Sequence, residues 1–514
     1  MSHLSSHLSS LLKTNLVSKP IDLSGLLEAQ KKHTSDLING IELNGFVCDF
    51  SGTGCGKTYI ACAIARHMAK THSSSVYVIA PKCVIPAWKK ILGIMGVNAT
   101  VLNYEKVARG NLVNVAVKTQ MQDIRTKTKV VKDMIQLTLP ENSFIVFDES
   151  HKCKGFKSSN SELLLSAYTQ KEKYKFMTVS ATQALNPMDM FVYGYIIGEH
   201  NFMEDAGNFY QWGKQFGGDW AETRDGFKID TKSDVSRARM KKLHDRLFNM
   251  GLARRLTAED FRDSFADNHI MPEIFDMGSN GAKIDHIFQE MNREIEILMK
   301  KNYSAHIFAV ITKARRQAEL LKAPTIVEQI LRHRDEGKSV AVFVNYTDTL
   351  EAIVKRVENE LGKNSCAVVR GGQKDKDRQA NIDDFQDNKV FVIVCNMAAG
   401  GVGISLHDVH GGHERVSIIS PSYSGIQLIQ ALGRIHRAEG KSKCMQYIVY
   451  CAGTIEEQIA VKVGGKLGNL DALNDGDMMG KDYGLPLEVR EKINDDYFDE
   501  LVEEELDLDC VSAS

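Results

Sequence analysis

The sequence predicts an α/β fold made of two tandem domains, each built around a parallel β-sheet. Short apolar runs rich in Val, Ile and Phe alternate with helical patterns, as is typical of parallel strands joined by crossover helices. Five such runs occur in each half of the chain. The first set lies at 45–50, 76–80, 101–102, 144–147 and 176–179, and the second at 340–344, 366–369, 390–394, 416–419 and 445–450.

The composition indicates a globular protein of the cell interior. The 514 residues are 43% hydrophobic and 25% charged, with a formal net charge of -2. No apolar stretch approaches the ~18 residues that a membrane span needs, and the N-terminus lacks the charged and apolar regions of a secretory signal. Ten cysteines occur without a CxxC pair, which favours reduced thiols. We expect a soluble, non-secreted protein of the cytoplasm, the nucleus or a viral compartment.

The pattern along the chain predicts five segments. Aromatic and basic stretches separate the two sets of apolar runs, and residues 495–509 contain nine acidic residues without Lys or Arg. The segments are an N-terminal arm (1–25), a first domain (26–195), a helical, basic insertion with the hinge (196–265), a second domain (266–464) and a polar extension with an acidic tail (465–514).

The octapeptide SGTGCGKT at 51–58 predicts a site for nucleotide phosphates. It follows a predicted strand and precedes a helical pattern, as phosphate-binding loops do. In such loops glycines let backbone amides turn toward phosphate, lysine reaches the β- and γ-phosphates, and a hydroxyl holds Mg²⁺. Ser51 stands where the strict pattern has its first glycine. The expected ATP ligands are Gly52, Thr53, Gly54, Cys55, Gly56, Lys57 and Thr58, of which Thr58 also binds Mg²⁺.

A second motif, FDESHKCKG at 147–155, places two carboxylates directly after a buried strand. A nucleotide hydrolase with such a phosphate loop needs one acid for Mg²⁺ and a second group for the attacking water. We assign Asp148 to the first role and Glu149 to the second. An acidic strand exit without function is the alternative, and the octapeptide upstream favours the functional interpretation.

These motifs and further segments occur in the order found in helicase superfamily two, and the chain resembles the Swi/Snf-type branch of that superfamily. Trp88, LARRL at 252–256 and GTIEEQI are the features most typical of the branch. Ser150, Gly155 and the triplet at 180–182 depart from its usual spelling. The further segments are LLEAQ (26–30), VYVIAPKCVIPAWKKIL (76–92), VLNYEKV (101–107), MTVSATQALNPMDMF (177–191), LHDRLFNMGLARRL (243–256), GGQKDKDRQANIDDFQ (371–386), NMAAGGVGISL (396–406), QALGRIHRAEG (430–440) and GTIEEQI (453–459).

The resemblance implies two RecA-like lobes with ATP in the cleft between them, and an ATPase that depends on nucleic acid. Gln30 would read adenine, and Mg²⁺ would be held by Thr58 and Asp148. Arg434 and Arg437 of the second lobe would act as arginine fingers that stabilise charge on the γ-phosphate. The catalytic set is therefore Lys57, Asp148, Glu149, Arg434 and Arg437, and Gly403 and Gln430 would shape the closed cleft.

The resemblance also implies a nucleic-acid track across both lobes, contacted through phosphates without sequence readout. By motif position the candidate contacts are Lys82, Tyr104, Asn345 and Asn396. A basic stretch could extend the track or be an ordinary solvent-facing helix, and both alternatives stay open. Its members are Arg237, Arg239, Lys241, Lys242 and Arg246.

The leading hypothesis is an ATP-dependent DNA translocase, with duplex DNA favoured, that remodels DNA or displaces bound protein. A strand-unwinding DNA or RNA helicase is the alternative, followed by a non-catalytic interaction subunit that binds nucleic acid. The acidic tail is either solvated or a site for a protein partner. His407, His410 and His413 have a spacing that could hold a metal, but we interpret them as part of a polar surface loop. No membrane partner is expected.

Overall fold

A computed structural model of the chain describes residues 21–109, 111–112, 116–122, 131–154, 158–181, 190–200, 206–215, 218–220, 227–229, 234–261, 265–300, 307–397, 404–421, 425–438, 440–454 and 456. Most of the N-terminal arm, the polar extension with its acidic tail and the predicted cleft residue Gly403 lie outside these ranges.

The strands follow the predicted apolar runs, with additional short strands between them. In chain order they are β1 (Phe46–Asp49), β2 (Val76–Ala80), β3 (Thr100–Asn103), β4 (Asn111–Leu112), β5 (Ala116–Gln122), β6 (Val131–Leu137), β7 (Ser143–Asp148), β8 (Tyr174–Val179), β9 (Gly218–Trp220), β10 (Phe227–Ile229), β11 (Ala253–Arg254), β12 (Asn268–Phe275), β13 (Ser339–Val344), β14 (Cys366–Val369), β15 (Val392–Asn396), β16 (Arg415–Ile419) and β17 (Cys444–Cys451).

Helices alternate with these strands in both halves of the chain. In chain order they are α1 (Glu28–Asn44), α2 (Lys57–His72), α3 (Ile85–Ile94), α4 (Tyr104–Ala108), α5 (Ser159–Thr169), α6 (Phe191–Ile196), α7 (Ala206–Gln215), α8 (Asp234–Asn249), α9 (Ser279–Lys300), α10 (Ile307–Asp335), α11 (Thr347–Leu361), α12 (Asp375–Gln386) and α13 (Gly425–Leu432). Three short 3₁₀ turns are added at Lys82–Val84, Ser150–Cys153 and Ala258–Phe261.

The first lobe is built on a six-stranded sheet in the order β11-β1-β8-β7-β2-β3, with every pairing parallel. All residues of β1 and β7 are buried, because helices cover both faces of the sheet. This explains why these strands are continuous apolar runs rather than alternating ones. Burying one large apolar side chain, such as Phe144 or Phe147, stabilises the fold by about 1.5–3 kcal/mol.

The second lobe contains a six-stranded parallel sheet in the order β12-β17-β16-β13-β15-β14. Its central strand β13 is buried at every position, and α9, α10 and α11 contribute to the core on one face. The predicted fold class, two α/β lobes with parallel sheets, is confirmed.

A small antiparallel sheet in the first lobe was not predicted. Strands β4, β5 and β6 pair in that order between α4 and β7. Its base packs on α5, where the Leu137 amide donates to Ser166 Oγ at 2.8 Å. These strands were not predicted because neither β5 nor β6 is a continuous apolar run, the pattern that identified the predicted strands.

The region between the two sets of runs is mixed rather than purely helical. It contains α7, α8 and the antiparallel pair β9–β10. It ends in β11, which joins the first sheet parallel to β1. The predicted hinge therefore begins as an edge strand of the first lobe, immediately beside the strand that leads into the octapeptide.

Two predictions about composition can be compared with the described residues. The eight cysteines whose side chains are described are free and buried, as expected for reduced thiols. Every described helix is either too short or too polar to cross a membrane.

Candidate functional site

The octapeptide forms a tight loop between β1 and α2 in which two glycines are required. Gly54 and Gly56 have φ of 82° and 76°, a region that side-chain-bearing residues rarely adopt. A Cβ at Gly54 would lie 2.8 Å from the His436 carbonyl oxygen, and one at Gly56 would lie 2.2 Å from Gln30 Nε2. The glycines thus permit close approach of the second lobe on one side and of helix α1 on the other.

Lys57 is the first residue of α2 and lies over the loop. Its Nζ donates to the carbonyl oxygens of Ser51 at 2.8 Å and Gly52 at 2.9 Å. Burial lowers the pKa of Lys57, and the charges of Glu149, Asp49 and Asp148 oppose that effect. An ammonium held in this position, at the N-terminus of a helix, is placed to meet phosphate oxygens.

Gln30, the predicted adenine-reading residue, is buried against the same loop. Its Nε2 donates to the Cys55 carbonyl at 2.9 Å, and its Oε1 accepts from the Leu27 amide at 2.9 Å. The side-chain amide therefore links α1 to the phosphate loop directly. Whether it also meets a base stays a prediction.

The two carboxylates of FDESHKCKG lie at the carboxyl end of β7, two strands away from β1 in the sheet. The Trp88 indole donates from Nε1 to Asp148 Oδ2 at 2.6 Å. Glu149 has φ 50° and ψ 51°, a left-handed conformation that is uncommon outside glycine and costs on the order of 1–3 kcal/mol. Such strain is typical of functional sites, and here it turns Glu149 away from the path of the strand.

The adjacent carboxylates have opposite pKa shifts. Burial and then the charge of Glu149 raise the pKa of Asp148 to about 7. Burial acts in the same direction on Glu149, but the hydrogen bond and charge of His151 outweigh it and lower the pKa of Glu149 to about 2. His151 Nδ1 lies 3.3 Å from Glu149 Oε2 and 3.2 Å from Ser180 Oγ in the SAT triplet. Glu149 is therefore the ionised member of the pair, and its carboxylate can accept a hydrogen bond from water, whereas its role as proton acceptor stays a prediction.

Asp148 and Thr58, the predicted ligands of Mg²⁺, have the chemistry that a divalent cation prefers, and their joint coordination stays a prediction. A carboxylate and a hydroxyl are hard oxygen donors, and Mg²⁺ in phosphoryl-transfer sites typically takes one or two such protein ligands plus phosphate and water. Mg²⁺ bound here would neutralise phosphate charge and would also lower the pKa of Asp148 again.

The second lobe brings its arginines against the phosphate loop. The Ala438 amide donates to the Gly54 carbonyl at 3.3 Å, and a Cβ on Gly433 would lie 2.3 Å from Thr53. Arg434 Nη1 and Arg437 Nη2 both donate to the Ile404 carbonyl, at 3.0 and 2.9 Å. The two guanidinium groups thus share one anchor in the second lobe while their segment contacts the first.

Arg437 is electrostatically unusual among the charged residues of the cleft. Burial and the neighbouring charge of Arg434 lower the pKa of Arg437 to about 9. Its Nε has no hydrogen-bond partner among the described residues. A half-buried guanidinium with an unpaired N–H group becomes more stable when an anion meets it. The Gln430 carbonyl, in contrast, accepts from Arg434 Nε at 2.6 Å, so Gln430 orients Arg434 through its backbone.

Comparison with known proteins agrees with this geometry. The family described as "Type III restriction enzyme, res subunit" matches residues 25–184, and the family described as "Helicase conserved C-terminal domain" matches residues 321–439. An Acanthamoeba polyphaga mimivirus protein named "Putative ATP-dependent RNA helicase L364" is 31% identical over 474 residues, covering 89% of this chain and 85% of its own. The Saccharomyces cerevisiae "DNA repair and recombination protein RAD54" is 31% identical over 140 residues.

The chain belongs to helicase superfamily two, in its Swi/Snf-type branch. It is an ATP-hydrolysing enzyme of the helicase type. The match to the yeast RAD54 protein covers 26% of this helicase and 15% of that protein. The "Sulfolobus solfataricus SWI2/SNF2 ATPase core in complex with dsDNA" aligns with 92% of this chain and 97% of its own at 16% identity, with a TM-score of 0.34, which is too low to support an argument.

The predicted nucleic-acid contacts of the helicase fall into three different environments. Lys82 is exposed in the turn after β2. Asn345 and Asn396 are half-buried at the carboxyl ends of β13 and β15, where Asn396 Nδ2 donates to the Asn345 carbonyl at 3.1 Å. Asn345 Nδ2 in turn donates to Glu319 Oε2 at 2.6 Å.

Tyr104 requires a correction, because the structure contradicts its predicted contact with nucleic acid. Its side chain is 0% exposed and packs in the core of the first lobe. Its hydroxyl donates to the Asp148 carbonyl at 2.9 Å. The position of Tyr104 in its motif predicted a contact with nucleic acid. The side chain is instead buried and stabilises the end of β7 through its hydroxyl.

The basic stretch and the histidine loop are held by local interactions. Lys241 pairs with Asp245 at 3.1 Å and Lys242 with Glu199 at 3.0 Å, and both lysines are exposed. Asp408 organises the histidine loop by accepting from the amides of His410, Gly411 and His413. Such a loop-closing role agrees with the interpretation as a polar surface loop.

Sequence reasoning missed what Trp88 contacts and what Ser51 contacts. Trp88 is recognisable as a branch feature, yet no local pattern indicates that its indole reaches Asp148. Ser51 is visible only as a departure from the strict loop pattern. Both side chains form hydrogen bonds with residues that are far away in the chain.

Proposed function

We propose that this helicase-type ATPase couples ATP hydrolysis to movement along double-stranded DNA, and thereby remodels DNA or displaces bound protein. The observation that carries the proposal is the contact of Trp88 with Asp148. Trp88 is a feature of the Swi/Snf-type branch, and its indole supports the carboxylate proposed for Mg²⁺. Trp88, although typical of the branch, is therefore a buried residue that contacts the proposed ATP site.

The other two branch features support the same interpretation. LARRL at 252–256 contributes β11, which lies beside β1. From the GTIEEQI segment, Glu456 pairs with Lys322 inside the second lobe, with side chains only 6% and 2% exposed. The features that suggest a duplex motor are thus built into the lobe connection and the core of the second lobe.

In the proposed hydrolysis step, Gly54, Gly56 and Lys57 hold the phosphates. Glu149 accepts a proton from a water molecule whose oxygen attacks the γ-phosphorus, and the bond to the ADP oxygen breaks. Arg434 and Arg437 compensate the charge that spreads over the transferred group. Because these arginines belong to the second lobe, closure of the cleft controls the reaction.

DNA is favoured as the track by the names of the local relatives. The yeast proteins RAD54 and RDH54 are both named for DNA repair and recombination. This chain spans only about one seventh of their length, 15% and 14%, so their whole activities do not transfer. On this chain, Lys82 in one lobe and Asn345 and Asn396 in the other are the proposed phosphate contacts.

Unwinding of a duplex, including one that contains RNA, is the second candidate. The observation in its favour is the mimivirus relative, which is named as an RNA helicase and matches most of this chain. The antiparallel strands β4–β6 in the first lobe also have no role in the proposed ATP site.

The deciding experiment measures ATPase stimulation of the purified full chain by single-stranded DNA, duplex DNA and RNA of equal length. A triplex-displacement assay and a strand-separation assay use the same DNA, and Lys57→Ala serves as the turnover-free control. Translocation on duplex predicts the strongest stimulation by duplex DNA, with triplex displacement and without strand separation. Stimulation by RNA alone would overturn the proposal, and strand separation would establish the second candidate.

A further inference from the structure

Ser51, the residue that replaces the first glycine of the strict phosphate-loop pattern, is fully buried and makes specific contacts. Its Oγ accepts from the Leu256 amide at 2.9 Å and lies 3.2 Å from His33 Nε2. The same hydroxyl donates to Asp49 Oδ1. Glycine could make none of these contacts, so the substitution adds a connection that the strict pattern lacks.

Asp49 fixes the direction of the Ser51 hydroxyl. Asp49 is 0% exposed, and its Oδ1 also accepts from the Ser51 amide at 3.0 Å. Burial acts to raise the pKa of Asp49, but the charge and hydrogen bond of His33 and the Ser51 hydroxyl outweigh it and lower that pKa. A carboxylate only accepts hydrogen bonds. The single Ser51 hydroxyl proton therefore goes to Asp49, which leaves the oxygen lone pairs for Leu256.

Leu256 lies on the connection between the lobes and is held from both sides of its peptide. Its amide donates to Ser51 Oγ, and its carbonyl accepts from the Gly52 amide at 2.8 Å. The preceding residues belong to β11, where the Arg254 carbonyl accepts from the Phe50 amide at 2.9 Å. From here the chain continues toward β12, the first strand of the second sheet.

Two of the three loop residues that contact Leu256 also hold Lys57, and the third is Cys55, whose Sγ lies 3.6 Å from the Leu256 carbonyl oxygen. Lys57 Nζ donates to the carbonyl oxygens of Ser51 and Gly52, at 2.8 and 2.9 Å. If the ammonium turns to a phosphate oxygen, both carbonyls lose that partner at once. Phosphate binding by Lys57 would therefore change the hydrogen bonding of the peptides that hold the lobe connection.

We propose that the Ser51 hydroxyl, oriented by Asp49 and His33, is a positioning group that couples occupancy of the phosphate loop to the lobe connection at Leu256. The inference rests on the proposal that residues 52–58 bind the ATP phosphates. Helix α1 contributes at both ends of the loop, since Gln30, one turn before His33, holds the Cys55 carbonyl.

The test is hydrogen exchange in the full-length protein, followed over residues 252–257 with and without Mg²⁺ and a non-hydrolysable ATP analogue. The variants are Ser51→Ala, which removes the hydroxyl, and Ser51→Thr, which keeps it. Ser35→Ala is the matched control, because Ser35 is on the same helix as His33 and its hydroxyl donates only to the Lys31 carbonyl. Affinity for the analogue is measured for each protein.

We expect the analogue to change exchange of the Leu256 amide in the wild type and in Ser35→Ala. In Ser51→Ala the amide exchanges about tenfold faster, the effect of losing one buried hydrogen bond. The analogue still binds that variant within about threefold of wild type, because the phosphate contacts are intact. Its effect on residues 252–257 disappears, and Ser51→Thr restores it.

Persistence of the analogue effect in Ser51→Ala overturns the proposal, as does failure of Ser51→Thr to restore it. Loss of analogue binding in Ser51→Ala also overturns it, because the hydroxyl would then act at the phosphates. If Ser51→Ala does not fold, Ser51→Gly, the residue of the strict pattern, replaces it. Failure of the ATP assignment itself is distinguished by Lys57→Ala, which would then bind the analogue as well as wild type does.

Discussion

The carboxyl ends of the two sheets carry polar groups in contrasting states. At the end of β7, Asp148 has a raised pKa, and Glu149 has a strained backbone. At the end of β13, Glu319 is also buried, but it accepts from the amides of Asn345 and Tyr346 at 3.0–3.1 Å and from the Asn345 side chain. The end of β7 therefore carries a perturbed pair of carboxylates, whereas the carboxylate at the end of β13 is satisfied by hydrogen bonds within its own lobe.

This difference indicates where the chemistry is located. Perturbed carboxylates and strained residues cluster at functional sites, and at the end of β7 the two features occur together in adjacent residues. The second lobe contributes Arg434 and Arg437, which are anchored on one carbonyl at Ile404. The two lobes have the same type of sheet but different proposed roles. The first lobe holds the carboxylates of the proposed reaction, and the second lobe supplies the positive charge of its arginines when the cleft closes.

The largest expected effect is a loss of turnover when Arg437 is removed. Its absence would contradict the division of roles between the two lobes. Arg437→Ala should lower nucleic-acid-stimulated kcat by about 10³–10⁵, the usual effect of an arginine finger. Arg437→Lys should recover little, because lysine lacks the planar fork that meets phosphate oxygens. Steady-state ATPase assays check this, and Arg370→Ala is the control, since Arg370 is exposed and pairs with Glu351. Equal losses of kcat in Arg437→Ala and Arg370→Ala would contradict the assignment of Arg437 as an arginine finger.

Glu149→Gln tests the chemistry of the first lobe. Loss of the proton acceptor should lower kcat by about 10²–10⁴, while binding of nucleotide and nucleic acid persists. Single-turnover hydrolysis and filter-binding measurements separate these quantities. Glu141→Gln, at an exposed position before β7, should behave as wild type. Unchanged turnover in Glu149→Gln would remove Glu149 from the mechanism.

Lys322→Met tests how much the second lobe depends on its buried pair of opposite charges. Removing one partner of the buried Lys322–Glu456 pair should destabilise that lobe by about 3–5 kcal/mol, because Glu456 keeps an uncompensated buried charge. Chemical denaturation measures the change. Arg316→Met breaks an exposed pair with Asp348 and should cost at most about 1 kcal/mol. Similar losses in both variants would show that burial of the pair is unimportant.

Trp88→Phe tests the support of Asp148. The ring volume is largely kept, but the donor to Asp148 Oδ2 is lost, so we expect the Mg²⁺ concentration for half-maximal nucleotide binding to rise about tenfold. Nucleotide binding without Mg²⁺ should change little. Trp212→Phe, at a buried position against Phe191 and His200, is the matched control. A Mg²⁺ dependence equal to wild type would assign Trp88 to packing alone.

The second lobe should also show a pH dependence in the histidine loop. Burial acts to raise the pKa of Asp408, but hydrogen bonds from Ser442, His413 and Gly411 and the charge of Arg415 lower it from 3.8 to about 2. Its stabilising contribution is therefore present above pH 3.8 and is lost as the pH falls toward 2. Asp408→Asn should lose about 2 kcal/mol at neutral pH, and the difference from wild type should vanish in acid unfolding curves.

Local patterns in the sequence were sufficient for most of the fold and for the phosphate loop. The apolar runs predicted ten strands of the two sheets because a strand covered on both faces must be apolar throughout. Spacing of glycines and lysine identified residues 51–58, since these requirements act within one turn of chain. The antiparallel strands β4–β6 were not predicted because none of them is a continuous apolar run.

The sequence by itself determined the two parallel sheets, the superfamily and the residues of the phosphate loop, because each depends on residues close together in the chain. Only the tertiary structure decided that Tyr104 is a buried support and that Trp88 reaches Asp148. It also decided that Ser51 holds Leu256. The contacts of Trp88 and Ser51 join residues 60 and 205 positions apart, so their energy depends on how the sheets and helices pack. No local pattern of side chains encodes that packing.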